Sequence, residues 1–527
     1  MENFLLRKWF DVWKNMNIPD ILLRNWSMKL IMEILRRRSE KTGRRFRVRR
    51  CAINGTTQFV KMKNGKLCFA KGGERSVRAC NKTIDMTTGS SVGCIMYFAL
   101  PIILGNLFQQ LYSLTDAVIV GRFVNLNALA AIGGTGWVRW AILGVCMDCT
   151  LGFGIVASRR IGAGDWNGFK EVLAAGVEFV LAAGFLLTLF TCLSLDFVLE
   201  LLHIPENIYE DARLYLWYAS VSIPIGLIYN MTCAFLRAVG NSRGPFAAVV
   251  LSTLINVSLD LYFIVGLRWG VCGAARATLI AQTSAAVFVL FLAVRHELFQ
   301  TTRKNWKYNP GILRETAGLW IPMFFNSIAI SAGGVIVQRY INSSGAIVAA
   351  GIDAGEKIYC LLETVEKAVC SAISVFVGQN LGAMKIARIR KGMKSMTIFA
   401  FFFSVWLAFV LTVYGDSLIG LFLNKNQDPA DLEGAYRAAR VYLNVQCISV
   451  FFMVPMHFYR GAVQALGYAV YPMIAAFLQI AARWITVALF VPALGLVGLC
   501  LPDGVAALAS LPVVVIPYFV FMRGCKK

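Results

Sequence analysis

"LFQQLYSLTDAVIVGRF" runs from Leu107 to Phe123, and one letter in it sets the problem. Asp116 is the only charged residue between Val92 and Gly121. About 20 apolar residues cross the hydrocarbon core of a bilayer, so this stretch is long enough to span one. A carboxylate at membrane depth costs ~2.5–3.5 kcal/mol on the mildest scale and persists where it faces a polar cavity. The stretch therefore reads as a membrane helix that carries a functional acid.

The rest of the chain has the same character. Of 527 residues, 57% are hydrophobic and 15% charged, with a mean hydropathy of +0.62, too apolar for an ordinary soluble domain. Uncharged segments of spanning length recur at Leu214–Leu236, Ala277–Val294, Thr316–Gln338, Ser395–Gly415, Val441–Tyr459, Trp484–Pro502 and Gly504–Met522. Others, around Tyr97–Val120, Ala128–Ala157, Val172–Leu195, Pro245–Gly266, Ile347–Gly378 and Gly461–Ala482, hold isolated charges. Only helices and closed barrels satisfy their backbones in lipid, so the expectation is an all-α polytopic membrane protein with twelve transmembrane helices.

Charge sets the orientation. The N-terminus and every second loop are rich in Lys and Arg, among them Arg159, Arg160, Lys170, Arg237, Arg243, Lys385, Arg388, Arg390, Arg460 and Arg523. The intervening loops are short or acidic, as in "HIPENIYED" and "NQDPADLE". The positive-inside rule places both termini in the cytoplasm of a cell whose inner (plasma) membrane holds the chain. Residues 1–90 carry 21 Lys and Arg against 7 Asp and Glu, so residues 1–85 read as a basic, poorly ordered extension. No signal peptide and no nucleic-acid partner are expected. Fourteen Cys scattered through apolar helices read as buried fillers. The one C-x-x-C, Cys146 to Cys149, has no second pair and implies no metal.

Internal repetition divides the core. "VIVGRFVNLNALAAIG" (118–133) lines up with "VIVQRYINSSGAIVAAG" (335–351), and "RRIGAGD" (159–165) with "QNLGAMK" (379–385). "LRAVGNSRGPF" (236–246) matches "VQALGYAVYPM" (463–473), and "WGVCGAA" (269–275) matches "LGLVGLC" (494–500), with offsets of 217 to 227. Six helices per repeat give two parallel, pseudo-symmetric lobes, residues 86–300 and 301–527, with a path between them as in secondary transporters.

Asp116 shares a helical face with Gln109 and Ser113, and Asp260 follows Asn256 by one turn in the fifth helix. These two acids are the expected ion-coupling pair, with Gln109, Ser113 and Asn256 as supporting polar groups. The eighth helix carries Asp353, Glu356, Lys357, Glu363, Glu366 and Lys367. Asp353/Lys357 and Glu363/Lys367 are i,i+4 pairs, and Glu356, Glu363 and Lys367 are candidates for a second ion or substrate site. Arg483 is expected to pair with one of these acids. Phe108, Tyr112, Phe153, Trp217, Phe325 and Phe452 are candidate apolar contacts for substrate.

"NKTIDMTTGS", "ALPIILGNLFQQLYSLTDAVIVGRF", "ALAAIGG", "LRAVGNSRGPF", "NVSLDLYFIVGLRWGVCGAARAT" and "VGQNLGA…RIRKG" together resemble the bacterial multidrug and toxic compound extrusion (MATE) family from Asn81 to the C-terminus. The resemblance implies lobes that rock to export small organic, often cationic, molecules in exchange for H+ or Na+, acting as monomers without a cofactor. It also implies that aspartates matching Asp116 and Asp260 form a proton site. The seventh and tenth spans lack the carboxylates that hold cations in other relatives, which favours H+. A primary pump lacks its G-x-x-x-x-G-K-[ST] loop, and an enzyme lacks metal spacing around His203, His296 and His457. The competing reading is a flippase for lipid-linked saccharides, which calls for a cationic cavity.

Overall fold

The computed structural model describes residues 59–63, 66–70, 83–124, 126–202, 204–306, 309–422 and 429–525. It divides into two units, Met1–Asn81 and Lys82–Lys527. In the first, β1 (Phe59–Lys63) pairs antiparallel with β2 (Lys66–Ala70) in the register Phe59 to Ala70 and Lys63 to Lys66. Asn64-Gly65 between them is the residue pair that two-residue hairpins favour. The rest of the basic extension expected over residues 1–85 lies outside the described residues as far as Lys82.

The second unit is a bundle of twelve spans. They are α1 (Ser91–Phe123), α2 (Gly136–Ala163), α3 (Trp166–Leu193), α4 (Glu206–Val221 with Ile223–Ala238, bent by 42°) and α5 (Arg243–Asp260, continued as a π-helix over Leu261–Gly266). Then follow α6 (Gly270–Val294), α7 (Pro310–Ser343), α8 (Ala346–Gly382), α9 (Ile386–Phe422), α10 (Pro429–Ala465), α11 (Val470–Leu494) and α12 (Pro502–Gly524). Ten are apolar and long enough to cross a membrane, and the bent pair makes an eleventh. The twelfth, α8, misses that description because six charges crowd its first two-thirds. Side chains cap the starts: Ser90 accepts from Gly93 N, Asp165 from Gly168 N, and Asn309 from Gly311 N and Ile312 N.

Two expected boundaries move. The stretches that sequence reading splits around Arg483 form one helix, α11, with Arg483 inside it. The second expected span, Ala128–Ala157, is broken at Thr135 into a short helix, Leu126–Gly134, and α2.

The repeat reappears in the packing. In the first half α1 packs on α5, α2 and α3 on α4, and α6 on both α4 and α5. In the second, α7 packs on α11, α8 and α9 on α10, and α12 on both α10 and α11, the same scheme six helices later. Pro101 in α1 and Pro322 in α7 each remove one backbone donor from their helix.

The lobes meet where α1 and α2 face α7 and α8. Bonds between them gather at the basic end. Arg159 donates to the Ala465 carbonyl at 2.8 and 3.1 Å, and both Arg159 and Arg160 pair with Glu315. Gln379 accepts from Met86 N at 3.0 Å and donates to the Ala238 carbonyl at 2.8 Å. Arg388 donates to the carbonyls of Met86, Thr88 and Gly89, clamping the segment that leads into α1. Deeper in the seam, Asp148 of α2 accepts from Asn326 Nδ2 at 3.0 Å and Ser327 Oγ at 2.6 Å, both on α7.

Candidate functional site

Asp116 and Asp260 come together in the first lobe. Asp116 is 5% exposed on α1, Asp260 is fully buried at the end of the α-helical part of α5, and the two helices pack on each other. The π-turn begins at the next residue, Leu261, a local change of winding found at functional positions in helices. Around the pair lies an apolar jacket that includes Ile119, Val120, Tyr215 and Ile264.

The polar atoms of this region are under-satisfied. Among the described residues, Asp116 Oδ1, both oxygens of Asp260 and both amide atoms of the fully buried Asn256 have no hydrogen-bond partner. An unpaired buried polar group costs ~1–3 kcal/mol, more if charged, so the arrangement persists where a small ligand completes it. A proton on either carboxyl would supply a donor. A cation would find oxygens but also Arg139, held by the hydroxyl of Tyr215, a member of the same cluster.

The supporting residues divide. Asn256 lies in this region, Gln109 is exposed, and the Ser113 side chain lies outside the described residues. Sequence reading missed Arg139, Tyr215 and Thr278. Arg139 donates to Tyr215 Oη at 2.5 Å, and Tyr112 Oη lies 3.2 Å from Thr278 Oγ1. Arg139 stands in plain view in "GWVRW", and its position near the start of the second helix is the signal that could have found it.

The second lobe neutralises itself. Lys357 pairs with Asp353 at 2.6 Å and Lys367 with Glu363 at 2.8 Å, so both i,i+4 pairs are formed. Arg483 departs from the expectation that it pairs with an acid of the eighth helix. It bonds Asp503, in the first turn of α12, at 2.9 and 3.0 Å, because α11 and α12 pack side by side. Glu366 is fully buried and pairs with His457 Nδ1 of α10 at 3.0 Å. That histidine, one of the three without metal spacing, is thus drawn into the cluster by the α8–α10 contact, whereas His203 lies outside the described residues. Glu356 is half-buried.

The aromatic candidates separate by exposure. Phe108, Trp217 and Phe325 are exposed, and Tyr112 and Phe452 half-buried. Phe153 has no exposed surface; its ring lies tilted against Phe179, which itself packs on Trp320, so it serves packing here and offers no contact to a ligand. Cys146 and Cys149 are free and buried, and no metal-holding cluster occurs among the described residues.

Comparison with known proteins agrees with this architecture. The MatE family model matches twice, over residues 101–262 and 322–487, once in each lobe. The chain is 25% identical over 354 residues to the probable multidrug resistance protein YpnP of Bacillus subtilis, covering 65% of this chain and 77% of that one. It is 25% identical over 387 residues to the multidrug export protein MepA of Staphylococcus aureus, covering 73% and 84%. Its fold superposes on a MOP superfamily transporter from Pyrococcus furiosus with a TM-score of 0.79 at 19% identity, over 85% of this chain and 99% of the other. With both halves of the bundle matched, this multi-pass membrane protein belongs to the MatE family, the multidrug and toxic compound extrusion transporters.

Proposed function

We propose that the chain is a secondary active exporter that moves organic, often cationic, compounds out of the cell in exchange for protons. The observation that carries the reading is the buried Asp116–Asp260 pair with its unpaired oxygens. Carboxylates at that depth are expensive and mark ion pathways. The relatives named for multidrug resistance and export support the substrate class.

Export by alternating access needs two states with different affinities for proton and drug. The lobes are bolted at the basic end, which the positive-inside rule assigns to the cytoplasm of a plasma-membrane protein. Closure at that end is what an outward-facing state would require. Protonation of the pair would there complete the region's missing donors and release substrate, and loss of the proton to the cytoplasm would reset it.

A lipid-linked saccharide, the competing substrate, calls for unpaired cations to meet its phosphates. The membrane-depth cations of the second lobe are each matched to an acid, Lys357 to Asp353, Lys367 to Glu363 and Arg483 to Asp503. The P. furiosus transporter, described as having a pocket of reverse polarity and a suggested different function, makes pocket polarity the property to weigh. In this chain the balance is acidic, which favours a cationic cargo.

The test is ethidium efflux from cells lacking their own pumps, under an imposed proton or sodium gradient, for wild type and Asp116→Asn. Proton-driven efflux lost in the variant at equal expression is the expected result. Undiminished efflux would make Asp116 structural, and sodium-driven efflux would change the coupling ion.

A further inference from the structure

Arg139 is the one charged group at the first lobe's site that the coupling scheme above leaves without a role. It sits near the start of α2, half-buried, donates from Nη1 to Tyr215 Oη at 2.5 Å, and lies over the Tyr215 ring at 5.5 Å from its centre. Tyr215 in turn packs in one cluster with Ile119 and Val120, a turn along α1 from Asp116, and with Ile264, a turn along α5 from Asp260. Element by element, the polar groups of this region among the described residues include Tyr112 and Asp116 from α1, Arg139 from α2, Tyr215 from α4, Asn256 and Asp260 from α5, and Thr278 from α6.

Charge bookkeeping separates two kinds of ion site. Two carboxylates alone carry −2, which two protons, or a sodium ion and a proton, would balance. With a guanidinium, which stays charged and offers only donors, the site carries −1, and a single proton neutralises it. A sodium ion needs a shell of oxygens and would meet a fixed charge of its own sign. Tyr215 holds the guanidinium in place through one hydrogen bond and one ring face.

We propose that Arg139 is the resident cation of the Asp116–Asp260 site and makes that site take one proton in preference to Na+. The inference deepens the coupling scheme and rests on it for its consequence, but the ion preference is measurable without transport.

The experiment follows thermal unfolding of the purified full-length chain in detergent at alkaline pH, in NaCl against choline chloride at equal ionic strength. Wild type is expected to show no sodium-specific stabilisation. Arg139→Gln is expected to gain one, with an apparent Na+ affinity at least about tenfold tighter than wild type, because a unit charge has left the site. Adding Asp260→Asn to that variant should abolish the gain, and Arg139→Lys, which keeps the charge, should behave as wild type. A wild type stabilised by Na+ as strongly as Arg139→Gln overturns the proposal, and so does a folded Arg139→Gln that ignores Na+. If Arg139→Gln does not fold, Arg139→Met removes the charge while keeping a side chain of similar length. A new sodium response there supports the proposal, and none overturns it. A wild type that moves no organic cation under any gradient would sink the exporter reading and leave this sodium test standing.

Discussion

Gly382 is where the basic-end seal is most easily broken. The last turns of α2 and α8 cross backbone to backbone, with Gly162 against the Gln379 carbonyl and Gly382 against the Arg159 carbonyl. The two glycines are repeat equivalents at an offset of 220, so one contact is the pseudo-symmetric image of the other. A Cβ at Gly382 would collide with the Arg159 oxygen and sit 2.8 Å from its carbonyl carbon and 2.9 Å from Ala163 N. Ordinary contact begins near ~3.5 Å, so in Gly382→Ala the helices must part by on the order of 1 Å. Overpacking of this kind costs ~1–3 kcal/mol, and only in the state where these ends meet. The equilibrium between the two access states then shifts ~5–150-fold towards opening at the basic end. Amide hydrogen exchange reads this directly, because Met86 N is bonded to Gln379 across the seam. Exchange over residues 83–90 should rise by that factor, and efflux should fall as the bolted state is depopulated. Gly318→Ala, whose Cβ would meet nothing within 4 Å, is the control and should change neither. Unaltered exchange in folded Gly382→Ala would refute the reasoning that this crossing closes the transporter.

Three further outcomes follow from the packing. Removing one member of the Glu366–His457 pair strands the other, so His457→Leu should cost ~3–5 kcal/mol, while Glu366→Leu/His457→Leu should recover most of it. Thermal melts of the two variants decide, and a double variant worse than the single one would mean that the pair does more than satisfy itself. Phe153→Ala should cost ~3–5 kcal/mol of stability and lower efflux of all substrates alike, since its ring is wholly inside; a change confined to one class of dye would count against this. Outside the membrane, the hydrogen bond from Arg213 holds the Asp196 carboxyl below its usual range. A depressed carboxyl stabilises the fold at neutral pH and loses that contribution as pH falls. The melting difference between wild type and Asp196→Asn should therefore shrink on acidification.

Much of this was legible in the chain because lipid imposes few solutions. Spanning length, basic loops and a repeat at a constant offset are one-dimensional signals, and they specified twelve helices in two lobes. Asp116 and Asp260 were legible for the same reason, as carboxylates in runs that should hold none. What escaped depends on which helices touch. Arg139 reads as an interfacial cation until α4 brings Tyr215 to it, and Asp148 was lost inside a cysteine motif until α7 supplied Asn326 and Ser327. His457 and Glu366 are 91 positions apart, and only the α8–α10 packing joins them. Arg483 was misassigned because spacing along one helix says nothing of Asp503 on its neighbour.

The repeat also explains why the two lobes divide their labour. At the offset of 217 that aligns "VIVGRF" with "VIVQRY", Asp116 corresponds to Gly333. At the offset of 227 that aligns the starts of α5 and α11, Asn256 corresponds to Arg483. The structure brings those second-lobe residues together as well, since a Cβ on Gly333 would lie 2.7 Å from Arg483 Nη1. The place that holds an acid beside an amide in one lobe thus holds an empty position beside a guanidinium in the other, and that guanidinium is tied to Asp503. The same helix packing serves both, so the fold does not require the carboxylate pair. One lobe bears the cost of unpaired acids and the other spends its cations on neighbours. An ion whose binding must bias the rocking of two alike halves gains its leverage from that inequality, because a site repeated on both sides would favour neither state.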